Sequence, residues 1–301
     1  MIQKGCRRLA RRLRIYNGRG RILQMLPMVW CDAGGAELQP TTMEDGSTIR
    51  VARADHIGRL VYYFGDFDPR ISWVCRQLLR PGDACIDIGA NMGVVALQMA
   101  RCVGPAGRVH AFEPQPDLAA RLQADAATNG LSALTIHPVA LSDHEGSAGF
   151  IVSVTNCGGA GISNEPVRGY RKIEVRLCQS AAAMSALDIS LHPDRPLRLL
   201  KLDVEGHEDV ILSVLRPWLA GYRPQAVLFE AGEARGFWDR PRVTTLLGLQ
   251  YRMWAIPRCI FRMRLVPLFP GAGLPVGVND IVALVEGDEG RAVRAALNLG
   301  A

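Results

Sequence analysis

The stretch DIGANMG, residues 87–93, decides the fold, because it joins a short apolar run to a helix-length amphipathic segment. Gly89 permits a tight backbone turn, and Gly93 permits the following helix to pack close to the sheet. A dinucleotide fingerprint would need a glycine where Asn91 stands, so the loop disfavours pyrophosphate. Asp87 offers a carboxylate to a ligand that carries an amine. The loop therefore predicts the cofactor-binding turn after the first strand of an open α/β sheet.

Downstream of this loop, short apolar runs alternate with helix-length segments, which is typical of βαβ units around a parallel sheet. We predict a doubly wound α/β fold. The predicted strands are 84–88, 108–112, 134–139, 197–202, 226–229, 252–256 and 281–285. The predicted helices are 91–101, 116–129 and 207–219. Two alternating runs around a glycine-rich loop predict a hairpin inserted over the site at about 146–183.

Polar residues at the strand ends are the next candidates, because ligands bind at the carboxyl edge of such a sheet. Glu113 ends the second predicted strand and can accept two hydrogen bonds from ribose hydroxyls. Ser142 or Asp143, after the third strand, could contact an adenine amino group or could instead cap a helix. The order and spacing of residues 87–93 and Glu113 together predict a ligand that contains a nucleoside.

A dense group of titratable residues follows the fourth predicted strand. A structural interpretation makes Asp203 and Glu205 helix caps, with Lys201 paired to one of them. A functional interpretation makes Asp203, Glu205 or His207 the base that deprotonates an acceptor hydroxyl. We favour function, because neighbouring buried carboxylates raise one another's pKa towards useful values.

Substrate contacts are predicted from two further places. Glu230 ends the fifth strand and is expected on the same edge. The stretch 60–69 is aromatic and acidic, and it is either a lid packed on the sheet edge or part of a substrate wall that includes Tyr63, Asp66 and Asp68.

Charge is unevenly spread along the chain. Residues 1–21 carry a net charge of +8, whereas the whole chain carries +6, so the remaining residues carry −2. A basic nucleic-acid cleft is therefore not expected. Apolar residues recur in this arm at intervals of three and four. The pattern predicts a helix that lies on an anionic membrane surface, on a partner, or packed against the main domain.

Other function classes are excluded by what the sequence lacks. The eight cysteines include no C-x-x-C pair, so neither a disulfide framework nor a metal site is expected. No apolar run approaches the roughly 20 residues of a membrane span, and no secretory signal is recognised. We expect a cytoplasmic protein, with peripheral contact at the cytoplasmic membrane face through residues 1–21. We predict a basic arm and leader over 1–54, the main domain over 55–290 and a tail over 291–301.

Five motifs together resemble the FkbM family of methyltransferases over about residues 55–232. They are YYFGDFDP at 62–69, DIGANMG at 87–93, AFEP at 111–114, VALSD at 139–143 and LDVEG at 202–206. The last motif, following a lysine-bearing strand, is fairly specific to that family.

The resemblance implies a class I methyltransferase fold, a mostly parallel seven-stranded sheet whose last strand is antiparallel. It also implies S-adenosylmethionine as donor and O-methylation as reaction, commonly on sugar or polyketide hydroxyls. The positions that match the cofactor loop are Asp87, Gly89, Asn91 and Gly93, Glu113 matches the ribose-binding acid, and Asp203, Glu205 and Gly206 match the D-V-E-G element. A catalytic role of His207 is not inherited, and the region beyond Gly232 matches little.

Two rival functions stay open on the sequence alone. One is an oxidoreductase with a nucleotide cofactor, which the missing G-x-G-x-x-G weakens. The other is a non-catalytic scaffold at the membrane periphery that acts through residues 1–21. The favoured acceptor is a small molecule or a glycan, which could be lipid-linked.

Overall fold

A computed structural model describes residues 7, 9–12, 16–25, 35–153, 156–162, 169–187 and 197–299. Much of the predicted basic arm (1–6, 8 and 13–15), two parts of the insertion (154–155 and 163–168) and the end of the tail (300–301) lie outside the described residues. The helices are α1 Arg19–Met25, α2 His56–Phe64, α3 Pro69–Leu78, α4 Val94–Val103, α5 Pro116–Thr128, α6 Ser180–Ser185, α7 Glu208–Val214, α8 Arg216–Tyr222, α9 Pro241–Gly248 and α10 Asp288–Ala296. None of the helices within these ranges is long and apolar enough to cross a membrane.

The central sheet has eight strands, which are β3 Ala84–Ile88, β4 Arg108–Phe112, β5 Leu134–His137, β10 Leu197–Leu202, β11 Ala226–Glu230, β12 Tyr251–Ile256, β13 Val266–Leu268 and β14 Asp280–Val285. Their spatial order is β13-β12-β14-β11-β10-β3-β4-β5. Pairing is parallel from β11 through β10, β3 and β4 to β5, whereas β14 runs antiparallel to both β11 and β12. The class I methyltransferase fold, with its antiparallel last strand, is thus confirmed.

One strand of this sheet was not predicted. The short strand β13 pairs antiparallel with β12 and becomes the edge strand. Its three residues, Val-Pro-Leu, are too few to show an alternating pattern, which is why the sequence does not reveal it.

Helices cover both faces of the central sheet and give the molecule three layers. Side chains of α3, α4 and α5 pack on one face with Val293 of α10, and side chains of α7, α8 and α9 pack on the other. Strands β3 and β10 are almost wholly buried because both of their faces are covered. Such burial explains why they appear in the sequence as continuous apolar runs.

The insertion between β5 and β10 forms a second, smaller sheet of order β6-β9-β7-β8. Its strands are β6 Ala140–Ser142, β7 Gly146–Ser153, β8 Ala160–Ile162 and β9 Tyr170–Gln179. The long antiparallel pair β7 and β9 matches the predicted hairpin. Directly after β5 the chain leaves the central sheet, because β6 pairs in parallel with β9 of the second sheet.

Two predicted segments take a different form in the structure. The stretch 60–69 is the end of α2, a left-handed cap at Gly65 and the start of α3, whose N-cap is Asp68. The predicted helix 207–219 is two helices, α7 and α8, which meet at Leu215.

The segment before α2 packs against the central body. A hairpin of β1 Leu38–Thr42 and β2 Thr48–Ala52 buries Ile49 and Val51 in the core. Residues 9–12 are helical, and Arg7 and Arg11 both donate hydrogen bonds to Thr41 Oγ1. The predicted boundaries at 54 and 290 stay predictions.

Candidate active site

A cavity of about 370 Å³ opens at the carboxyl ends of β3, β4, β10 and β11. Its size falls within the roughly 300–1,000 Å³ of small-molecule sites. Apolar side chains line one part of it, including Ile88, Phe112, Val139 and Leu141, and carboxylates line another. This is where an open α/β sheet is expected to bind its ligand.

The loop after β3 approaches the loop after β10 very closely. Gly89 has φ +81°, and a Cβ built there would lie 1.9 Å from the Asp203 carbonyl oxygen. Asn91 adopts the left-handed region with φ +54°, which asparagine tolerates better than most residues. The sequence of this loop thus fits a backbone path that places both residues on the cavity wall.

Glu113 is anchored by the same loop. Its Oε2 accepts a hydrogen bond from the Asn91 backbone N–H at 2.7 Å, and its Oε1 accepts one from the Gln115 N–H at 2.9 Å. Burial outweighs these bonds and raises the pKa of Glu113 to about 7. Each oxygen keeps a second acceptor position, so the fixed carboxyl group can still bind hydroxyl donors from the cavity.

The insertion covers the cavity through the turn 156–159, between β7 and β8. The Cys157 backbone N–H donates to Asp55 Oδ2 at 2.6 Å, and Asn91 Nδ2 donates to the Cys157 carbonyl oxygen at 3.0 Å. Asp55 is also the N-cap of α2, where it accepts from the Gly58 N–H. One carboxylate thus ties the cover of the cavity to its wall, a link that the sequence did not reveal.

A buried ion pair lies beneath the cavity floor. Lys201 and Asp87 stand side by side on β10 and β3, and Lys201 Nζ is 3.0 Å from Asp87 Oδ1 and 3.4 Å from Asp203 Oδ2. Burial disfavours the lysine cation, but the two carboxylates outweigh it and raise the pKa of Lys201. The lysine therefore stays charged and holds Asp203 at the floor.

Two further carboxyl groups lie in the cavity with raised pKa values. Burial, followed by the nearby Asp203, raises the pKa of Glu205 to about 7 and that of Glu230 to about 8. Glu205 sits in the left-handed region with φ +52° and makes no hydrogen bond to another described side chain. Its pKa and its lack of such a hydrogen bond allow it to exchange a proton near neutral pH.

Two residues that were not predicted from the sequence, Arg70 and Asp280, also line the cavity. Arg70 is ion-paired with Asp68 at 2.6 Å and with Asp280 at 2.9 Å. Asp280 begins β14, and because β14 is antiparallel, its first residue reaches the carboxyl edge. An acid just before the last apolar run is the signal that could have revealed it.

Three side chains that were predicted to contact a ligand are buried away from the cavity. Asp87 is 0% exposed and does not line the cavity, so it holds Lys201 and does not meet a ligand amine. Tyr63 is also 0% exposed and packs beside α1 in a small apolar cluster. Asp66 is buried, accepts a hydrogen bond from Ser72 and lies outside the cavity. Of the three substrate contacts predicted in the stretch 60–69, only Asp68 reaches the wall.

Gly93 also serves a different purpose from the one predicted. A Cβ built there would lie 2.1 Å from Leu122 Cδ1 of α5. The glycine therefore permits close packing of α4 against α5, and it does not line the cavity.

Ser142 and Asp143 face a neighbouring hollow, because β6 has already left the central sheet. This second hollow is lined by Ser142, Asp143, His144, Ser147, Lys172, Glu174 and His207 among others. His207 lines both cavities, and its Nε2 lies 3.2 Å from Ser142 Oγ. The predicted adenine contact by Ser142 or Asp143 is therefore corrected, and Val139 to Leu141 take the place on the wall.

Among the residues that the structure describes, no group of three His, Cys, Asp or Glu side chains could hold a metal ion.

The strand order and the cavity at the carboxyl edge are those of class I methyltransferases. Residues 87–253, more than half of the chain, match the model of the methyltransferase FkbM domain. The chain belongs to the FkbM methyltransferase family, and S-adenosylmethionine is its methyl donor. The predicted family and cofactor are both confirmed.

Solved structures and curated proteins add little to this assignment. The O-methyltransferase TomG from Streptomyces achromogenes, involved in tomaymycin synthesis and solved with SAM, is 13% identical over 73% of this chain and 81% of that chain, with a TM-score of 0.40. An SAM-dependent O-methyltransferase from Thermotoga maritima is 13% identical over 83% of this chain and 93% of that chain, also with a TM-score of 0.40. No curated protein matches the chain. The family match carries the assignment.

The cavity fits this donor on its own features. The close approach at Gly89 leaves no space for a side chain, and Glu113 presents a fixed carboxyl group to the cavity. Apolar walls at Ile88, Phe112 and Leu141 suit an adenine ring.

Proposed function

We propose that this methyltransferase acts on a hydroxyl group of a sugar-containing or polyketide-like acceptor, with Glu205 as the general base. The donor, when bound, supplies an already activated methyl group. The residues of the chain then have to align the acceptor oxygen and accept its proton. The observation that carries the proposal is Glu205, a half-buried carboxyl group with a pKa of about 7 in the cofactor cavity.

The positions of the acids on the sheet support separate tasks. Glu113 follows β4, whereas Glu205 follows β10, two strands away. At about 4.8 Å per strand, their backbones are roughly 10 Å apart along the edge. One end of the cavity can therefore bind a ribose while the other end handles the acceptor.

Glu205 is a better base than the two other predicted candidates. Asp203 is ion-paired with Lys201, whose Nζ lies 3.4 Å from Asp203 Oδ2, so its carboxylate is already engaged by a cation. Burial lowers the pKa of His207, so its imidazole is neutral, but its Nε2 already contacts Ser142. Glu205 has neither an ion-pair partner nor a side-chain hydrogen bond among the described residues. We therefore propose Glu205 as the base and His207 as the second candidate.

The surroundings support an acceptor rich in hydroxyl groups. The second hollow adjoins the cavity at His207 and Ile162, which line both. Its serine, histidine, lysine and carboxylate side chains can donate and accept hydrogen bonds. A glycan, free or lipid-linked, could place one sugar in the cavity and the next in the hollow.

Incubation of the protein with labelled S-adenosylmethionine and a panel of sugar-containing and polyketide acceptors tests the proposal. We expect label in a base-stable methyl ether. Glu205→Gln should lower turnover by roughly 10²–10⁴-fold, the usual contribution of a general base, while S-adenosylhomocysteine still binds. Glu37→Gln, an exposed and distant carboxyl group, is the matched control and should behave like the unaltered protein.

Either of two results would contradict the proposal. One is label transferred only to nitrogen or sulfur. The other is wild-type turnover by the Glu205→Gln variant.

A further inference from the structure

The loop 257–265, between β12 and β13, exposes large apolar side chains at the edge of the sheet that carries the cavity. Strand β12 is antiparallel to β14, which is antiparallel to β11, so β12 ends at the same edge as β11. Beyond that end, the side chains of Ile260 and Phe261 are 52% and 77% exposed. Adjacent exposed apolar side chains rimmed by polar residues make this loop a candidate interaction surface.

The same loop is positively charged. Residues 251–279 contain four arginines and no aspartate or glutamate. Arg258, Arg262 and Arg264 are exposed and flank the apolar pair. None of the three forms an ion pair within the described ranges, whereas Arg252, at the other end of β12, is paired with Glu286. The loop therefore carries arginines without an ion-pair partner among the described residues on both sides of its apolar tip.

The basic N-terminal segment is attached to this loop. The Tyr16 backbone N–H donates to the Ile260 carbonyl oxygen at 2.7 Å, and Asn17 Nδ2 donates to the Arg258 carbonyl oxygen at 3.3 Å. Exposed Arg21 follows on α1. Two segments far apart in the sequence thus meet at this surface.

This surface lies close to the cavity. Gly277 packs near Arg258, since a Cβ built there would be 3.8 Å from Arg258 Cδ. Three residues later, Asp280 lines the cavity. A surface bound by the loop would therefore lie close to the cavity.

We infer that the loop 257–265 docks the protein on an anionic lipid bilayer. Ile260 and Phe261 enter the boundary between headgroups and acyl chains, and the three arginines bind lipid phosphates. A nucleic acid would leave the apolar pair without a partner, and a second copy of the same surface would bring like charges together. The inference does not depend on the acceptor, because it concerns binding to the bilayer alone.

Vesicle flotation tests this inference with the full chain. We expect the protein to bind vesicles of equimolar phosphatidylcholine and phosphatidylglycerol and to stay free with phosphatidylcholine alone. The double variant Ile260→Ser, Phe261→Ser and the double variant Arg262→Glu, Arg264→Glu should each lose at least about tenfold in binding. These side chains are exposed, so both variants should keep the thermal midpoint and the S-adenosylhomocysteine affinity of the unaltered protein.

Matched controls come from the opposite edge of the sheet. Phe269, at the far end of β13, is 65% exposed, and Arg291 is an exposed arginine of α10. Phe269→Ser and Arg291→Glu should leave vesicle binding unchanged. Phe261→Trp should show a blue-shifted emission on anionic vesicles, and Phe269→Trp should not.

Three outcomes would overturn the inference. One is an absence of binding to anionic vesicles. Another is equal loss of binding in Arg291→Glu, which would indicate general charge attraction, or in Phe269→Ser, which would show that the contact is not specific to the loop. The third is a dimer that requires Phe261 in a protein that ignores vesicles, which would make the loop a contact between copies of the chain.

Discussion

Removing the Lys201 side chain charge is expected to destabilise the fold by about 3–5 kcal/mol at pH 8, the usual cost of breaking a buried ion pair from one side. Asp87 is 0% exposed and Lys201 is 4% exposed, so water cannot replace the lost cation. In Lys201→Met, Asp87 Oδ1 would lose its 3.0 Å partner, and Oδ2 already has no hydrogen-bond partner among the described residues. The exposed Lys172→Met variant is the matched control.

The loss of unfolding free energy in Lys201→Met should increase with pH. Without Lys201, burial raises the pKa of Asp87, so the folded variant can relieve the buried charge by binding a proton. With an unfolded pKa near 3.9, that proton costs about 1.5 kcal/mol at pH 5 and about 4 kcal/mol at pH 7. The loss of stability in Lys201→Met should therefore be small at pH 5 and grow as the pH rises.

Urea unfolding between pH 5 and pH 8 measures both effects. The double variant Asp87→Asn, Lys201→Met should regain part of the stability and lose the pH dependence, because no buried carboxylate remains. The buried ion pair would not have the predicted role if Lys201→Met lost less unfolding free energy at pH 8 than the ~1 kcal/mol of a surface pair. A double variant no more stable than Lys201→Met would contradict it as well.

Three further predictions concern the donor site and use calorimetric binding of S-adenosylhomocysteine. Gly89→Ala should lower the affinity at least about tenfold, because the new Cβ would lie 1.9 Å from a carbonyl oxygen, whereas Gly82→Ala, also at positive φ but with open space around it, should not. Glu113→Ala should abolish measurable binding, and a wild-type affinity would remove Glu113 from the site. Asp55→Ala should release the turn at Cys157 and weaken binding several-fold, whereas an unchanged affinity would show that this tie does not hold the cover in place.

Most of the fold could be predicted because each central strand is flanked by a helix and buried on both faces. Those conditions produce the continuous apolar runs at 84–88 and 197–202, which the structure reproduces as β3 and β10. The insertion sheet was only partly predictable. Strand β6 has three residues and pairs with β9, which is distant in the sequence, and no local pattern specifies that partner.

Some residues of the site could likewise be placed from the neighbouring sequence, whereas the position of others depends on strands that are distant in the sequence. Their own loops were enough to predict that Gly89, Glu113 and Glu205 lie at the cavity. The role of Asp87 could not be predicted in this way, because it depends on β10 lying next to β3, so that Lys201 stands opposite Asp87. Ser142 was misplaced for a related reason, since the chain turns into a second sheet before it reaches the predicted contact.

The most direct test of Glu205 as the general base is the pH profile of single-turnover methyl transfer at saturating donor, in the unaltered protein and in Glu205→Gln. Because the pKa of Glu205 is raised to about 7 and a base must be ionised, the rate should rise with pH through about 7 and then level off. In Glu205→Gln the rate should be lower and this rise should be absent. A variant that keeps both the wild-type rate and the wild-type profile would contradict the assignment of Glu205 as the general base.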